Sequence, residues 1–225
     1  MDRFVQTVIE YAKNISNENL CGQNDCISFR GKRGYMYITK PNVNFADLTE
    51  NDVEKIDLVN ANSNEYKLHA QIYTEREDIN AICHVHPKWV APVAKAGVTI
   101  PTVLDDMAQI VGPKCKTAQN TIEDIVKNLK GVNSCLIKDD GCITSGRTMS
   151  EAFTCIMVLD KASHCFVSSA VIGKNITIPS KTNANYLQEE IQQSKSRKFG
   201  CSRRRRGGID YGMDTRRRIK VKTSH

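Results

Sequence analysis

No run of residues in this chain approaches the roughly 18 consecutive apolar positions that a membrane-spanning helix needs, so no membrane span is expected. The opening stretch MDRFVQTVIEYAKNI carries acids inside its apolar pattern and has no small-residue cleavage site, which argues against a signal peptide. No CxxC pair is present. The nine cysteines stand singly at positions 21, 26, 83, 115, 135, 142, 155, 165 and 201, mostly within apolar runs. An odd, scattered set reads as buried reduced thiols and not as a disulfide framework, and it points to a cytoplasmic location. Internal repeats are also lacking.

What remains is ordinary globular composition: 225 residues, 40% hydrophobic and 25% charged. That length supports one sizeable α/β domain or two small ones. The net charge of +7 is unevenly placed. From Lys195 onward, twelve Lys/Arg against Asp210 and Asp214 give that segment +10, which leaves residues 1–194 at −3. We therefore divide the chain into a mildly acidic body, 1–194, and a basic C-terminal tail, 195–225. The tail has almost no apolar periodicity and is rich in Arg, Lys, Gly and Ser, the composition of a flexible segment. Arg203–Arg206 and Arg216–Arg218 could attract an anionic partner, nucleic acid or lipid, in a salt-dependent way. Without interleaved aromatics, sequence-specific reading of nucleic acid is not expected, and a solvated or subunit-contacting extension is the simpler reading.

Along the body, Phe4, Val5, Val8, Ile9, Ala12 and Ile15 recur at helical spacing. CISFRG and GYMYIT, separated by a turn, predict a hairpin. A short helix is expected around TENDVEK, with Thr49 and Asp52 at its start, then a strand at KIDLVN. Asn62 and Glu65 have the spacing of a capping box opening a helix that runs through KLHAQIYTER. AICHVH reads as a strand closed by Pro87, followed by helices at Trp89–Ala96 and DDMAQIV. NTIEDIVKNLKG predicts a helix, SCLIKD a strand, and Thr148 with Glu151 caps another helix. SHCFVSSAVIG has both strand and helix character. Helices and strands alternate, yet several neighbouring strands are joined by short turns. A mixed sheet with packed helices is the expected architecture.

The strongest local chemical signal is His84 and His86. In a strand, residues i and i+2 share a face and stand roughly 6.6–7 Å apart, so two imidazoles can converge on one ion. The alternative is a pair of histidines hydrogen-bonded to backbone or lining a polar pocket. Glu65 lies upstream at a helix start, where capping alone would account for it. If the strand returns beside that helix start, its carboxylate could act as an acid/base next to a bound cation.

Together these segments resemble the class II aldolase/adducin family. The family's G-N-x-S motif is echoed by DCISFR, and its I-T-P-S-G loop by ITKPN. Its P-S-S-E, with a histidine four residues on, appears as Asn62-Ser63-Asn64-Glu65 with His69. Its A-V-x-H-x-H strand appears as AICHVH, and LIKDDGCITSGRTMSEAF matches L-x-x-N-H-G followed by a G-x-[ST]-x-x-E-A helix. The resemblance spans roughly residues 4–170. It implies a three-layer α/β/α fold with a central mixed, largely antiparallel sheet. It also implies a homotetrameric, metal-dependent lyase that cleaves or forms a carbon–carbon bond in a small phosphorylated ketose such as fuculose 1-phosphate, through a metal-stabilised enediolate. An epimerase or dehydratase on the same scaffold is the nearby alternative, and a non-catalytic adducin-like scaffold the distant one. By position, His84, His86 and Asp140 would hold the ion. Zinc is the first choice, with manganese or iron as alternatives. Glu65 would move the proton, and Ser28, Thr39, Asn42, Ser63 and Asn64 would bind the substrate phosphate.

The sequence departs from the pattern at three places. Asp140 replaces the family's third histidine; a carboxylate with two histidines is still a normal catalytic set, although Asp139-Asp140-Gly141 also reads as a simple polar turn. His164 is a less suitable substitute. Cys26 replaces the asparagine of G-N-x-S, and Lys40-Pro41-Asn42 replaces P-S-G, removing a glycine that lets backbone approach an anion. The segment after the metal strand is compressed, and neither Tyr186 nor Tyr211 can be nominated for the tyrosine that a neighbouring subunit brings to the family's site.

Overall fold

In the computed structural model, residues 2–32 and 34–173 are described. The basic tail, Tyr186 and Tyr211 lie outside them. Helix α1 (Arg3–Asn17) is capped by Asp2, whose carboxylate accepts from the Phe4 N–H at 2.9 Å. It buries Val8, Ala12 and Ile15. Strands β1 (Cys26–Arg30) and β2 (Tyr35–Thr39) pair antiparallel as the predicted hairpin. Thr49 does cap a turn with Asp52, but it is a single 3-10 turn, Glu50–Asp52. The expected helix is replaced by β3 (Val53–Asp57), which pairs with β2 along its whole length. The partner strand outweighs a helix signal only one turn long.

Helix α2 (Asn64–Glu75) leads to β4 (Ala81–Val85), then α3 (Val90–Ala96), a two-residue β5 (Ile100–Pro101) and α4 (Asp105–Ile110). After β6 (Lys114–Cys115) and β7 (Thr117–Ala118) come α5 (Ile122–Asn128), β8 (Ser134–Ile137), β9 (Cys142–Gly146) and α6 (Met149–Ile172). The ambiguous segment SHCFVSSAVIG is the last part of α6, a single uninterrupted helix. At 24 residues, α6 is long and apolar enough to cross a membrane by length and composition. Here Met149, Ala152, Cys155, Ile156, Val158, Leu159 and Ala162 are buried in the core.

Seven strands form one sheet in the order β3-β2-β1-β4-β9-β8-β7. All pairs are antiparallel except β7 with β8, so the sheet is mixed and largely antiparallel, as expected. Helices α1, α3, α4 and α6 pack with residues of one face, α2 and α5 with the other. The result is a three-layer α/β/α arrangement. Strands β4, β8 and β9 are buried throughout, which fits near-continuous apolar runs at the centre of a sheet covered on both faces. The eight described cysteines are all free thiols; six are buried, Cys21 is half-buried and Cys165 exposed.

Candidate metal centre

The site grows from the register of the central strands. Cys26 pairs with His84, and His84 with Ile143, so the end of β4, the start of β1 and the β8–β9 turn meet at one edge. The turn carries Asp140, and its tightness depends on Asp139 and Gly141, both at positive φ (62° and 70°). A Cβ on Gly141 would lie 2.4 Å from the Val85 carbonyl oxygen and 2.7 Å from His86 Cδ2. Gly22 presses on His86 from another side, where an added Cβ would lie 2.6 Å from His86 Cβ. Only backbone without side chains fits against the His86 ring on one side and its Cβ and backbone on the other.

The side chains that the sequence nominated for metal do converge. His86 Nε2 lies 3.1 Å from Asp140 Oδ1, and His84 Nε2 lies 3.8 Å from Asp140 Oδ2 and 2.9 Å from the Asp140 carbonyl oxygen. One donor atom from each of the three residues falls within 4.8 Å of the others. Each ring is held from behind by a carboxylate: His84 Nδ1 is 2.9 Å from Glu65 Oε1, and His86 Nδ1 is 2.7 Å from Asp25 Oδ1. Backing of this kind leaves Nε2 of both rings aimed at the common point, as metal-binding histidines require. Two imidazoles and a carboxylate suit a divalent ion, so the donor set fits the expected cofactor. Asn120 donates to Asp140 Oδ2 at 3.0 Å and holds the carboxylate in place.

Asp25 is the participant that sequence reasoning missed. It is 4% exposed, and it also accepts from the His86 and Gly22 backbone N–H groups. Its only sequence signal is a place immediately before the β1 strand that pairs with the His-x-His strand.

The electrostatics follow from this packing. Burial opposes charge on His86, but Asp140 and Asp25 outweigh it and raise its pKa to about 9. His84 is likewise raised, with Glu65 and Asp140 overcoming burial. Burial would raise the Asp140 carboxyl, but His86, His84 and Asn120 bring it below its ordinary value. Glu65 is also held well below the usual carboxylate range: burial acts against ionisation, and the imidazoles of His69 and His84, when they carry protons, outweigh it. Without a metal, then, protons on the two imidazoles offset part of the negative charge of Glu65, Asp25 and Asp140.

Glu65 is freed for this role by a different cap from the one expected. Ser63, not Asn62, caps α2, accepting from the Tyr66 N–H at 3.1 Å, so Glu65 takes no part in a capping box. The phosphate-binding assignments fare less well. Ser28 and Thr39 are fully buried. The Ser28 hydroxyl lies 2.7 Å from His69 Nδ1 and 2.8 Å from the Tyr73 hydroxyl, while Thr39 Oγ1 accepts from the Ile27 N–H at 3.1 Å. Both are occupied by protein groups beneath the surface and present no atom to a phosphate. Ser63 is half-buried, and Asn42 and Asn64 are exposed. His164 stacks on Trp89 with ring centroids 3.9 Å apart and is not one of the clustered donors among the described residues.

Comparison with known proteins agrees with this fold. Residues 6–167 match the model of the class II aldolase and adducin N-terminal domain. A 5-deoxy-D-ribulose 1-phosphate aldolase of Bacillus thuringiensis serovar kurstaki is 21% identical over 200 residues, covering 82% of this chain and 93% of that protein. The decarboxylase NovR of Streptomyces niveus is 25% identical over 129 residues, covering 52% of this chain; the match spans 46% of NovR's length. Among solved structures, an L-fuculose 1-phosphate aldolase superposes with a TM-score of 0.79 at 19% identity, covering 85% of this chain and 97% of that one. The L-fuculose-1-phosphate aldolase of Thermus thermophilus gives 0.66 at 18% identity, covering 76% and 96%. The chain belongs to the class II aldolase and adducin N-terminal domain family.

Proposed function

We propose that this protein is a metal-dependent lyase acting on a small phosphorylated ketose, and that His84, His86 and Asp140 hold its ion. The observation that carries the reading is the convergence of these three donors beside the carboxylate of Glu65. A divalent ion there supplies Lewis-acid stabilisation of negative charge developing on a substrate oxygen, an effect worth several kcal/mol. Zinc suits the donors best, with manganese or iron as alternatives. Glu65 gives or takes the proton at the reacting carbon. Its side chain is 30% exposed, which leaves a carboxylate oxygen open to a substrate, and its low pKa makes the ionised base the resting form. Asp25 and Asn120 orient His86 and Asp140, so binding an ion would mainly displace the Nε2 protons that these donors now share. Asn42, Ser63 and Asn64 remain the candidates for the phosphate. A homotetramer in the cytoplasm, as in the sequence reading, completes the proposal.

A second reading draws on two observations: the burial of Ser28 and Thr39 and the similarity to NovR, whose name is that of a decarboxylase. The same metal and carboxylate would then serve the loss of carbon dioxide from a small acid. Incubation with ketose 1-phosphates and 5-phosphates, assaying triose release, separates the two from each other. Triose release that is abolished in Glu65→Gln supports the lyase. Carbon dioxide release from a panel of 3-oxo and 3-hydroxy acids, with no triose, would replace it by the second reading.

A further inference from the structure

Among the described residues two buried side-chain nitrogens lack a hydrogen-bond partner, Arg30 Nε and His69 Nε2, and the second lies behind Glu65. His69 is fully buried. Its Nδ1 lies 2.7 Å from Ser28 Oγ, which lies 2.8 Å from the Tyr73 hydroxyl. That hydroxyl also sits 3.1 Å from the Ser28 carbonyl oxygen and 3.3 Å from that of Asn80. Carbonyls only accept, so in one arrangement the Tyr73 proton points to them and the Ser28 proton points to Tyr73. Ser28 Oγ then accepts from Nδ1–H of His69 and Nε2 is a lone pair ready for a cation; in the opposite arrangement Nε2 carries a proton facing Glu65, which a metal would displace. Nε2 makes no hydrogen bond. Its neighbour Glu65 Oε1, 3.0 Å away, is itself an acceptor and lies out of line for a ring N–H.

A third donor completes the cluster. The sulfur of Cys26, which is 2% exposed, lies with Glu65 and His69 so that the three donor atoms fall within 4.8 Å of one another. Donors around a tetrahedral zinc, with bonds of roughly 2.0–2.3 Å, stand about 3.3–3.8 Å apart, so a small contraction would close the set. We propose that Cys26, Glu65 and His69 form a second metal site, for a soft divalent ion such as Zn²⁺, Co²⁺ or Cd²⁺. The Ser28–Tyr73 chain is its orienting shell, holding the His69 ring from behind. On binding, the Cys26 S–H bond breaks, a sulfur–metal bond forms, and the proton leaves to solvent past the partly exposed Glu65. The sulfur donor is a departure of this chain, since asparagine occupies that place in the motif that DCISFR resembles.

One consequence rests on the proposed function. An ion here occupies the carboxylate of Glu65, so excess soft metal inhibits the enzyme while the ion at His84, His86 and Asp140 stays in place.

The test is titration of the chelator-treated full chain with Co²⁺, following the sulfur-to-cobalt charge-transfer absorption. The wild type should bind two equivalents of Co²⁺, and the band should account for one of them. His86→Ala should keep it. Cys26→Ser should lose it while folding as judged by circular dichroism, and His69→Gln should weaken Co²⁺ binding in the band by at least tenfold. A wild type without the band, or a Cys26→Ser or His69→Gln protein with the band unchanged, overturns the proposal. Band without triose release overturns the lyase reading and leaves the second site standing; triose release without the band does the reverse.

Discussion

Asp25 Oδ1 lies 2.7 Å from His86 Nδ1 and 3.1 Å from the His86 backbone nitrogen, so one buried carboxylate oxygen fixes both the ring and the backbone of a candidate ligand. Its other oxygen accepts from the Gly22 N–H at 2.8 Å. The ring plane, tautomer and strand end are thereby set by a residue that would touch neither metal nor substrate.

Asp25→Asn keeps the shape and removes the charge. We expect metal affinity to fall about 10–100-fold, the usual effect of losing such a partner, with the fold retained. A competitive chelator titration reads this. Unchanged affinity would reduce Asp25 to a structural brace.

The metal-free protein should be pH-sensitive through His86. Its pKa is raised in the folded state from the ordinary 6.5 to about 9, since Asp140 and Asp25 outweigh burial. A group raised on folding stabilises fully below its unfolded pKa, and that contribution is lost as pH rises through the folded one. Thermal unfolding of chelator-treated protein should therefore shift down by several degrees, in order of magnitude, between about pH 6.5 and pH 9. His86→Ala should flatten that window. Metal binding displaces the same proton, so ion affinity should rise over the same range.

Two glycines at positive φ separate backbone strain from crowding. Gly34→Ala, at φ 80° with nothing within 4 Å of the added carbon, should cost only about 1–2 kcal/mol. Gly141→Ala adds a collision with the Val85 carbonyl and the His86 ring, so it should cost more and should also weaken metal binding by displacing Asp140. Denaturant midpoints for both variants, with chelator titration for the second, check the contrast. Equal losses, with metal affinity intact, would mean the turn is not what places Asp140.

Glu65→Gln should lower turnover by about 10²–10⁴-fold, the range for loss of a positioned acid/base, even at metal concentrations that fill the His84, His86 and Asp140 site, whose affinity should also fall because Glu65 backs His84. Turnover rates and metal content measured on one preparation decide it. An active Glu65→Gln protein would move the proton-transfer role elsewhere.

The fold was largely legible because its signals are local. Short β-like runs gave β1, β2, β4 and β8, and Thr148 marks the start of α6, accepting from the Glu151 N–H. The misreadings came where a tertiary partner decides. Thr49 and Asp52 make a turn of the kind the sequence suggests, but pairing with β2 draws the chain straight into β3. The short strands β5, β6 and β7 carry too few residues to show a period. At the site, His84, His86, Glu65 and Asp140 could be nominated from spacing and resemblance. Asp25 could not, because its importance lies in strand register. Ser28 fits a phosphate motif by residue type, yet His69 and Tyr73 on α2 cover it, and a motif says nothing of what lies above a side chain.

The central claim is that His84, His86 and Asp140 hold a divalent ion. The most direct measurement is the divalent metal content per chain after loading and dialysis, with Cys26→Ser in every protein compared so that the softer donor set is removed. The account predicts one equivalent in that protein and less than a tenth of one when His86→Ala is added. No bound zinc, manganese or cobalt in the first, or the same content in both, would contradict it.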